Sequence, residues 1–238
     1  MALLVQLQRR FVRWAFERFY NEYAWSYDSV AWLVSRGLWQ AWTQAALPFL
    51  EGQVLELGCG TGYVQLARAQ QKLPIVGLDA SPFMLGHSRK RLARAGYAAY
   101  LVQARSQKIP FADQSFDSVL STFPSDYILH PDTLREIVRV LRPNGRFVLV
   151  DAAHFTQHDL YAQLVDIAYW LTFQRSLHSR SSEHSADLPD LSHDPRLAVL
   201  HQAGLACTIN WVTVAQSRVM VLVAQPEERS TIGYDTIA

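Results

Sequence analysis

The chain has 238 residues, half of them hydrophobic and 18% charged, which suits one domain with an appendage and excludes wholesale disorder. Basic residues number 22 and acidic residues 21, and a formal net charge of +1 argues against a nucleic-acid-coating protein. Two cysteines cannot build a disulfide framework, no apolar run reaches the ~18–20 residues of a membrane span, and the start MALLVQLQRRFVRW lacks the order of a signal peptide, so a soluble cytoplasmic protein is expected.

Residues 1–50 form a first, aromatic region. Leu4, Leu7, Phe11, Trp14, Ala15 and Phe19 have helical spacing, with Arg9, Arg10, Arg13 and Arg18 among them. Such a helix packs as core or lid; a basic amphipathic helix can also lie on an anionic membrane surface. A second helical pattern runs from about Ser29 to Leu47 and is expected to end at Pro48.

The middle region alternates strand and helix patterns. Val54–Leu57 reads as a strand, followed by glycines and a helix from about Tyr63 to Gln71. Ile75–Leu78 is a second strand, ending at Asp79, and Pro82–Ala95 a helix with Gly96 as its C-cap. Strands follow at Ala99–Val102 and Asp117–Thr122, then a helix at Asp132–Leu141, stopped by Pro143-Asn144-Gly145, then a strand at Phe147–Val150. This alternation predicts a parallel sheet with helices on both faces.

After Asp151 the pattern breaks. Residues 157–174 suggest an extra amphipathic helix. Residues 175–195, rich in Ser, His and Asp, read as a long loop that is either a lid or locally disordered. Leu197–Ala203 is a helix. Leu205–Val214 and Arg218–Ala224 form a β-hairpin around Ala215-Gln216-Ser217, and residues 226–238 are a polar tail.

The chemistry is concentrated in VLELGCGTG, residues 54–62. A strand runs into Gly58, Gly60 and Gly62, and a helix follows. Glycines let a ligand approach the backbone, and the helix start offers free N–H groups. A dinucleotide fingerprint needs G-x-G-x-x-G, but its third glycine position is Tyr63. Glu56 would repel a pyrophosphate and attract an ammonium. Both features disfavour an NAD(P)-dependent oxidoreductase. Asp79, 17 residues beyond Gly62, can accept two hydrogen bonds from a ribose diol.

VLELGCGTG resembles motif I of class I S-adenosylmethionine-dependent methyltransferases. The resemblance continues through GLDAS (77–81), I-P-F-x-D-x-S-F-D (109–117) and RVLRPNGR (139–146). The last pairing resembles the type 11 group, which includes ubiquinone/menaquinone-type C-methyltransferases. It implies a Rossmann-like, seven-stranded, mainly parallel sheet with an antiparallel C-terminal hairpin, a methyltransferase domain over 51–225 with an insertion at 154–195, and a helical N-terminal lid.

The resemblance also implies site roles. Glu56 steadies the glycine loop and the methionine ammonium of the cofactor, S-adenosyl-L-methionine. Gly58, Cys59, Gly60, Thr61 and Gly62 pass beneath it. Asp79 binds the ribose, and Ala80 and Met84 flank the adenine. Ser121, Thr122 and Phe123 line the path to the substrate. Arg105 stands where the family often has an Asp that holds the adenine amino group; Arg cannot accept that bond, so backbone at Arg105 and Ser106 would have to supply the contact. Asn144 stands where Gly is usual and is read as a residue that tolerates positive φ.

Methyl transfer from a sulfonium needs no covalent intermediate, so Cys59 is read as packing rather than as a nucleophile. His154 and His158 have metal-ligand spacing, with His178, His184 and His193 beyond, but no cysteine accompanies them and no metal site is expected. No N-P-P-Y-like tetrad follows the fourth strand, which speaks against amide or exocyclic-amine methylation. The acceptor is expected to be a small, apolar or aromatic molecule, such as a lipid or a quinone, with Tyr27, Tyr127 and His130 as candidate polar contacts near the methyl. The competing reading is a non-enzymatic ligand-binding protein on a methyltransferase fold.

Overall fold

The computed structural model describes residues 31–155 and 194–226. Seven strands form one sheet: β1 (Val54–Leu57), β2 (Ile75–Asp79), β3 (Leu101–Gln103), β4 (Phe116–Thr122), β5 (Leu141–Phe155), β6 (Leu205–Val214) and β7 (Ser217–Pro226). Their order is β3-β2-β1-β4-β5-β7-β6. The first five are parallel; β7 runs antiparallel to both β5 and β6. The helices are α1 (Trp39–Gln44), α2 (Tyr63–Gln70), α3 (Pro82–Arg94), α4 (Pro131–Val140) and α5 (Pro195–Gln202), with 3₁₀ turns at Leu47–Phe49 and Asp126–Leu129. The Rossmann-like expectation and the antiparallel hairpin are both realised.

Alternation along the strands divides the core into two layers. Leu55, Leu57, Val119, Phe147, Leu149, Met220 and Leu222 bury on one face. Val54, Leu120, Val148, Val150, Val219 and Val221 bury on the other, beneath Trp42 of α1 and Val64 of α2. Both faces are apolar because helices cover both. Glu56 shares the second face with Val54, two residues away.

The expected helix over residues 29–47 is broken. Residues 31–34 are helical, then Arg36 and Gly37 both take positive φ (52° and 81°). Gly37 N donates to the Trp32 carbonyl at 2.7 Å and Arg36 N to Leu33 at 3.2 Å, which closes the helix as a Schellman turn. The chain restarts as α1, and Pro48 sits inside the following 3₁₀ turn. Strand β3 begins two residues later than expected. Strand β5 is far longer than expected: Leu141 pairs with Phe116, the register shifts across Pro143-Asn144-Gly145, and Ala152–Phe155 pair with β7. The first two residues of the expected insertion, His154 and Phe155, therefore belong to the sheet. Asn144 is not among the positive-φ residues, so tolerance of that conformation does not explain it. Helix α5 begins at Pro195, capped by Asp194, whose Oδ1 accepts from Arg196 N at 2.9 Å. The helix expected over 157–174, the rest of the 175–195 loop, residues 1–30 and the tail lie outside the described residues. Among the described residues no helix is long and apolar enough to cross a membrane.

Two of the sequence motifs are bound to each other. Arg139 donates to the carbonyls of Ile109 (2.9 Å) and Phe111 (2.8 Å) and pairs with Glu136 and Asp113, each at 2.7 Å. Glu136 accepts from Ile109 N at 2.7 Å. The Arg139 contact holds the Glu136 carboxyl below its usual range. Arg139→Ala strips several charge-assisted bonds from two backbone carbonyls, so it should cost about 2 kcal/mol and lower the melting temperature by about 4–8 °C. Arg139→Lys should recover less than half of that loss, because one ammonium cannot span the fork. A thermal melt by circular dichroism decides both.

Candidate functional site

The sheet order reverses between β1 and β4, and a crevice forms beyond their carboxyl ends. The loop after β1 occupies that crevice. Gly58 N and Cys59 N both donate to the Leu78 carbonyl, at 2.7 and 3.1 Å, so the loop is tied across to β2. Asp79 then holds it from below. Its Oδ2 accepts from Gly60 N at 2.9 Å and its Oδ1 from Ser81 N at 2.8 Å. Burial raises the Asp79 pKa and these backbone bonds oppose the rise. Asp79 thus positions the glycine loop. Ser81, not Asp79, caps α3, accepting from Met84 N at 3.4 Å.

The three loop glycines answer three different demands, and all three have positive φ. A Cβ on Gly58 would meet the Tyr127 hydroxyl at 2.3 Å. A Cβ on Gly62 would meet Ser88 Oγ at 2.3 Å and its Cα at 3.1 Å, where α3 packs on the start of α2. Among the described residues, a Cβ on Gly60 would meet nothing nearer than the Gly58 carbonyl at 4.0 Å, so none of their side chains covers the loop surface at Gly60.

Glu56 is the buried acid of the site, with 1% of its surface exposed. Gln65 Nε2 of α2 donates to its Oε2 at 2.9 Å. Burial pushes its pKa up to about 8; the Gln65 bond opposes this, Asp79 adds to it, and a bond from Thr122 opposes it. A neutral carboxyl with only neutral hydrogen-bonding neighbours is poised to meet a cation. Cys59 is buried beside it. Its Sγ would lie 2.9 Å from a Cβ on Gly77, so it fills the space left by that glycine. Burial first, then Glu56 and Asp79, pushes its thiol up, away from thiolate chemistry.

The remaining sequence candidates fall in different places. Ser121 Oγ donates to the Leu57 carbonyl at 2.8 Å, beneath the loop. Thr122 lines the crevice with Glu56, Gly58 and Gly60. Phe123 sits next to it at φ +46°, with its N–H on the Val150 carbonyl at 2.7 Å. Tyr127 lies on the 3₁₀ turn with its hydroxyl 3.4 Å from the Leu57 carbonyl, over Gly58. His130 is half exposed and acts as a cap: its Nδ1 accepts from Asp132 N at 3.2 Å at the start of α4. Ala80 and Arg105 are exposed, Ser106 is buried, and Met84 is buried with 1% of its surface exposed. Tyr27 lies outside the described residues, as do His158, His178, His184 and His193. His154 packs beside Trp211 with ring centroids 5.8 Å apart. Among the described residues no group of three metal-ligating side chains forms.

Three side chains at the site escaped the sequence reading. Arg91 of α3 donates to the Thr61 carbonyl (2.9 Å) and Oγ1 (3.0 Å) and covers the Tyr63 ring at 3.6 Å, clamping the loop's far end. Its only signal is its spacing from Met84 and Ser88 on one helix face. Trp39 and Thr43 of α1 roof the crevice. Their signal is the i, i+3 and i, i+4 spacing of Trp39 with Trp42 and Thr43.

The pattern of a methyltransferase domain matches residues 55–149. This segment is similar to that family. The match runs from β1 through the core of β5, so it contains the glycine loop, Asp79 and the Arg139-bound segment. The chain is 32% identical over 165 residues to a demethylmenaquinone methyltransferase of Symbiobacterium thermophilum, covering 65% of this chain and 64% of that protein. It is 34% identical over 142 residues to a ubiquinone/menaquinone biosynthesis C-methyltransferase of Geobacter sulfurreducens, with 56% of each covered. The matches thus span about half to just under two thirds of the curated relatives. Among solved structures, a methyltransferase of Thermotoga maritima described as a possible histamine N-methyltransferase superposes with a TM-score of 0.55 at 19% identity, covering 89% of this chain and 98% of that one. The geranyl diphosphate C-methyltransferase of Streptomyces coelicolor gives 0.55 at 13% identity, with 78% of each covered. At such identities the likeness is one of fold.

Proposed function

We propose that the protein transfers a methyl group from S-adenosylmethionine to a small, apolar or aromatic acceptor. The observation that carries this reading is the Asp79–Gly60 bond, which fixes a glycine loop beside the buried Glu56 and the half-buried Asp79 at the sheet's switch point. The residues fit the cofactor's chemistry. Asp79 keeps lone pairs free for a ribose diol after accepting two backbone bonds. Glu56 presents a carboxyl to an ammonium in low dielectric.

The cofactor supplies a methyl on a positive sulfur, already a good leaving group. In the transfer an acceptor–carbon bond forms as the sulfur–carbon bond breaks, and S-adenosylhomocysteine leaves. The acceptor's proton passes to solvent or to a nearby base. What remains for the protein is positioning and exclusion of water. The loop fixes one partner. Thr122, Phe123 and the Tyr127 hydroxyl flank the approach of the other. The relatives named for demethylmenaquinone and ubiquinone/menaquinone biosynthesis make a quinol ring the first acceptor to try.

Calorimetric titration with S-adenosylmethionine and S-adenosylhomocysteine tests the reading, with NADH as the control. Both should bind in the micromolar range. Asp79→Ala removes the acceptor for Gly60 N and for the ribose, and should weaken both by on the order of 100-fold. No binding by the wild type, or undiminished binding by the variant, would overturn the assignment.

A further inference from the structure

We propose that the α3–β3 edge of the sheet is a docking surface for an anionic membrane. The inference goes beyond the methyl-transfer reading and does not depend on it.

The charge of the chain is unevenly placed. The whole carries +1, yet residues 57–112 hold eight basic residues and one acid, Asp79. Asp79 is committed to Gly60 N and Ser81 N. Of the acids that flank the segment, Glu56 is buried and Asp113 is paired with Arg139. Folding gathers this excess at one end of the molecule. The segment supplies α2, β2, α3 and β3, and β3 is the last strand of the sheet. Helix α3 packs on β2 and β3. Phe83, Lys90 and Arg94 are spaced to share one stripe of α3, and all three are exposed. Lys72 and Leu73 precede β2. Tyr100 precedes β3, and its carbonyl accepts from Gly77 N at 2.9 Å. Arg105 and Lys108 share the turn after β3, where Lys108 N donates to the Arg105 carbonyl at 2.9 Å. Among the described residues, none of these five cations has an ion-pair partner.

Apolar side chains stand among them. Leu73, Phe83 and Tyr100 are 43%, 55% and 68% exposed, and they are three of the five large hydrophobics exposed among the described residues. This mixture selects the partner. Unpaired cations alone suit any polyanion. A phosphodiester backbone gives nothing to an exposed leucine, whereas the headgroup layer of a bilayer takes in apolar side chains while its phosphates meet lysine and arginine. Phe83 and Arg105 also follow the carboxyl ends of β2 and β3, the end of the sheet at which the crevice forms. An apolar acceptor dissolved in the bilayer would thus be met beside the site.

Co-sedimentation of the full chain with vesicles tests this. One set is phosphatidylcholine alone and the other contains about one-third phosphatidylglycerol. Wild type should bind the anionic set at least about 10-fold more tightly, and added salt should erode the difference. Arg94→Gln should weaken that binding by about 5-fold, and Lys90→Gln with Arg94→Gln by about 10–30-fold. Arg135→Gln removes the same charge from α4 and should change it by less than about 2-fold. Leu73→Ser with Tyr100→Ser keeps every charge and should still cost about 10-fold. Residues 1–19 are common to all variants, so the differences report the edge alone. Every replaced side chain is exposed, so melting temperatures should move by less than about 2 °C. Equal binding to both vesicle sets, or undiminished binding by the Lys90 and Arg94 double variant, overturns the inference. So does tighter binding to a DNA or RNA oligonucleotide than to anionic vesicles, which would assign the surface to nucleic acid. Titration with S-adenosylhomocysteine tests the methyl-transfer reading separately.

Discussion

Gly62→Ala should lower the melting temperature by about 6–12 °C, equivalent to about 3 kcal/mol in a chain of this size. Two costs add. The residue sits at φ +84°, where a Cβ clashes with its own backbone by about 1–2 kcal/mol. The new Cβ would also lie 2.3 Å from Ser88 Oγ and 2.9 Å from Ser88 Cβ. Those atoms belong to α3, so relief needs a helix to move rather than a side chain to turn. Overpacking of that kind costs a further ~1–3 kcal/mol. Ser88→Gly in the same chain removes both side-chain atoms and should restore roughly the steric half, leaving the backbone cost. Gly60→Ala is the contrast: its φ is +51° but none of the described residues crowds the position. It should lose only the backbone share of stability, and its deficit should appear in cofactor affinity. Equal melting temperatures for Gly62→Ala and Gly60→Ala would show that α3 yields to the new Cβ and that the α2–α3 contact carries no steric cost.

That contrast also shows how legible the site was. The glycine loop, Glu56 and Asp79 stand out in the sequence because a short apolar strand, a run of glycines and a helix start are local signals. The different duties of the glycines are not local. Gly62 answers to Ser88, 26 residues on, and Gly58 to Tyr127, farther still. Asp79 could be read as a ligand-binding carboxylate but not as the anchor of the loop, because the Gly60 bond crosses between strands. Trp39, Gln65 and Arg91 enter through helix packing and leave only a periodicity behind. The fold was legible for the same reason as the loop: each strand and helix of the middle region has its own apolar pattern. Errors gathered where tertiary contacts overrode it. Arg36 ends a helix in a conformation that its side chain does not advertise, and only Gly37 beside it hints at the break. The last residues of β5 are strand because Ser217–Met220 pair with them, which no window on 152–155 contains. His130, read as a candidate polar contact, also caps α4, a duty its sequence neighbours do not announce.

Glu56 should make both stability and cofactor binding depend on pH in a way that Glu56→Gln abolishes. Its folded pKa of about 8 lies above the ordinary 4.5, chiefly because burial penalises the charge. The carboxyl's favourable contribution is therefore complete below about pH 4.5 and is lost as pH rises through 8. Over that window the wild type should lose on the order of 3–5 kcal/mol from this group alone. Glu136 and Asp117, whose pKa values are lowered by Arg139 and by Gln53 N and Arg142, respectively, act in the opposite sense at acid pH. They are common to both proteins, so the wild-type-minus-variant difference in melting temperature between pH 5 and pH 9 isolates Glu56. A bound ammonium reverses the preference. At pH 7 Glu56 in the free protein is held mainly protonated by burial. A cofactor that seats a cation there should expel close to one proton on binding. Calorimetric enthalpies in phosphate and in Tris should then differ by nearly the full difference between the two buffers' ionisation heats, with apparent affinity rising from pH 6 to pH 8. Glu56→Gln should show no buffer dependence beyond that of the cofactor itself, while Gln65 keeps its hydrogen bond to the new amide oxygen. Identical enthalpies in the two buffers for the wild type would mean that the ammonium binds elsewhere, and Glu56 would then be a structural acid held neutral between β1 and α2.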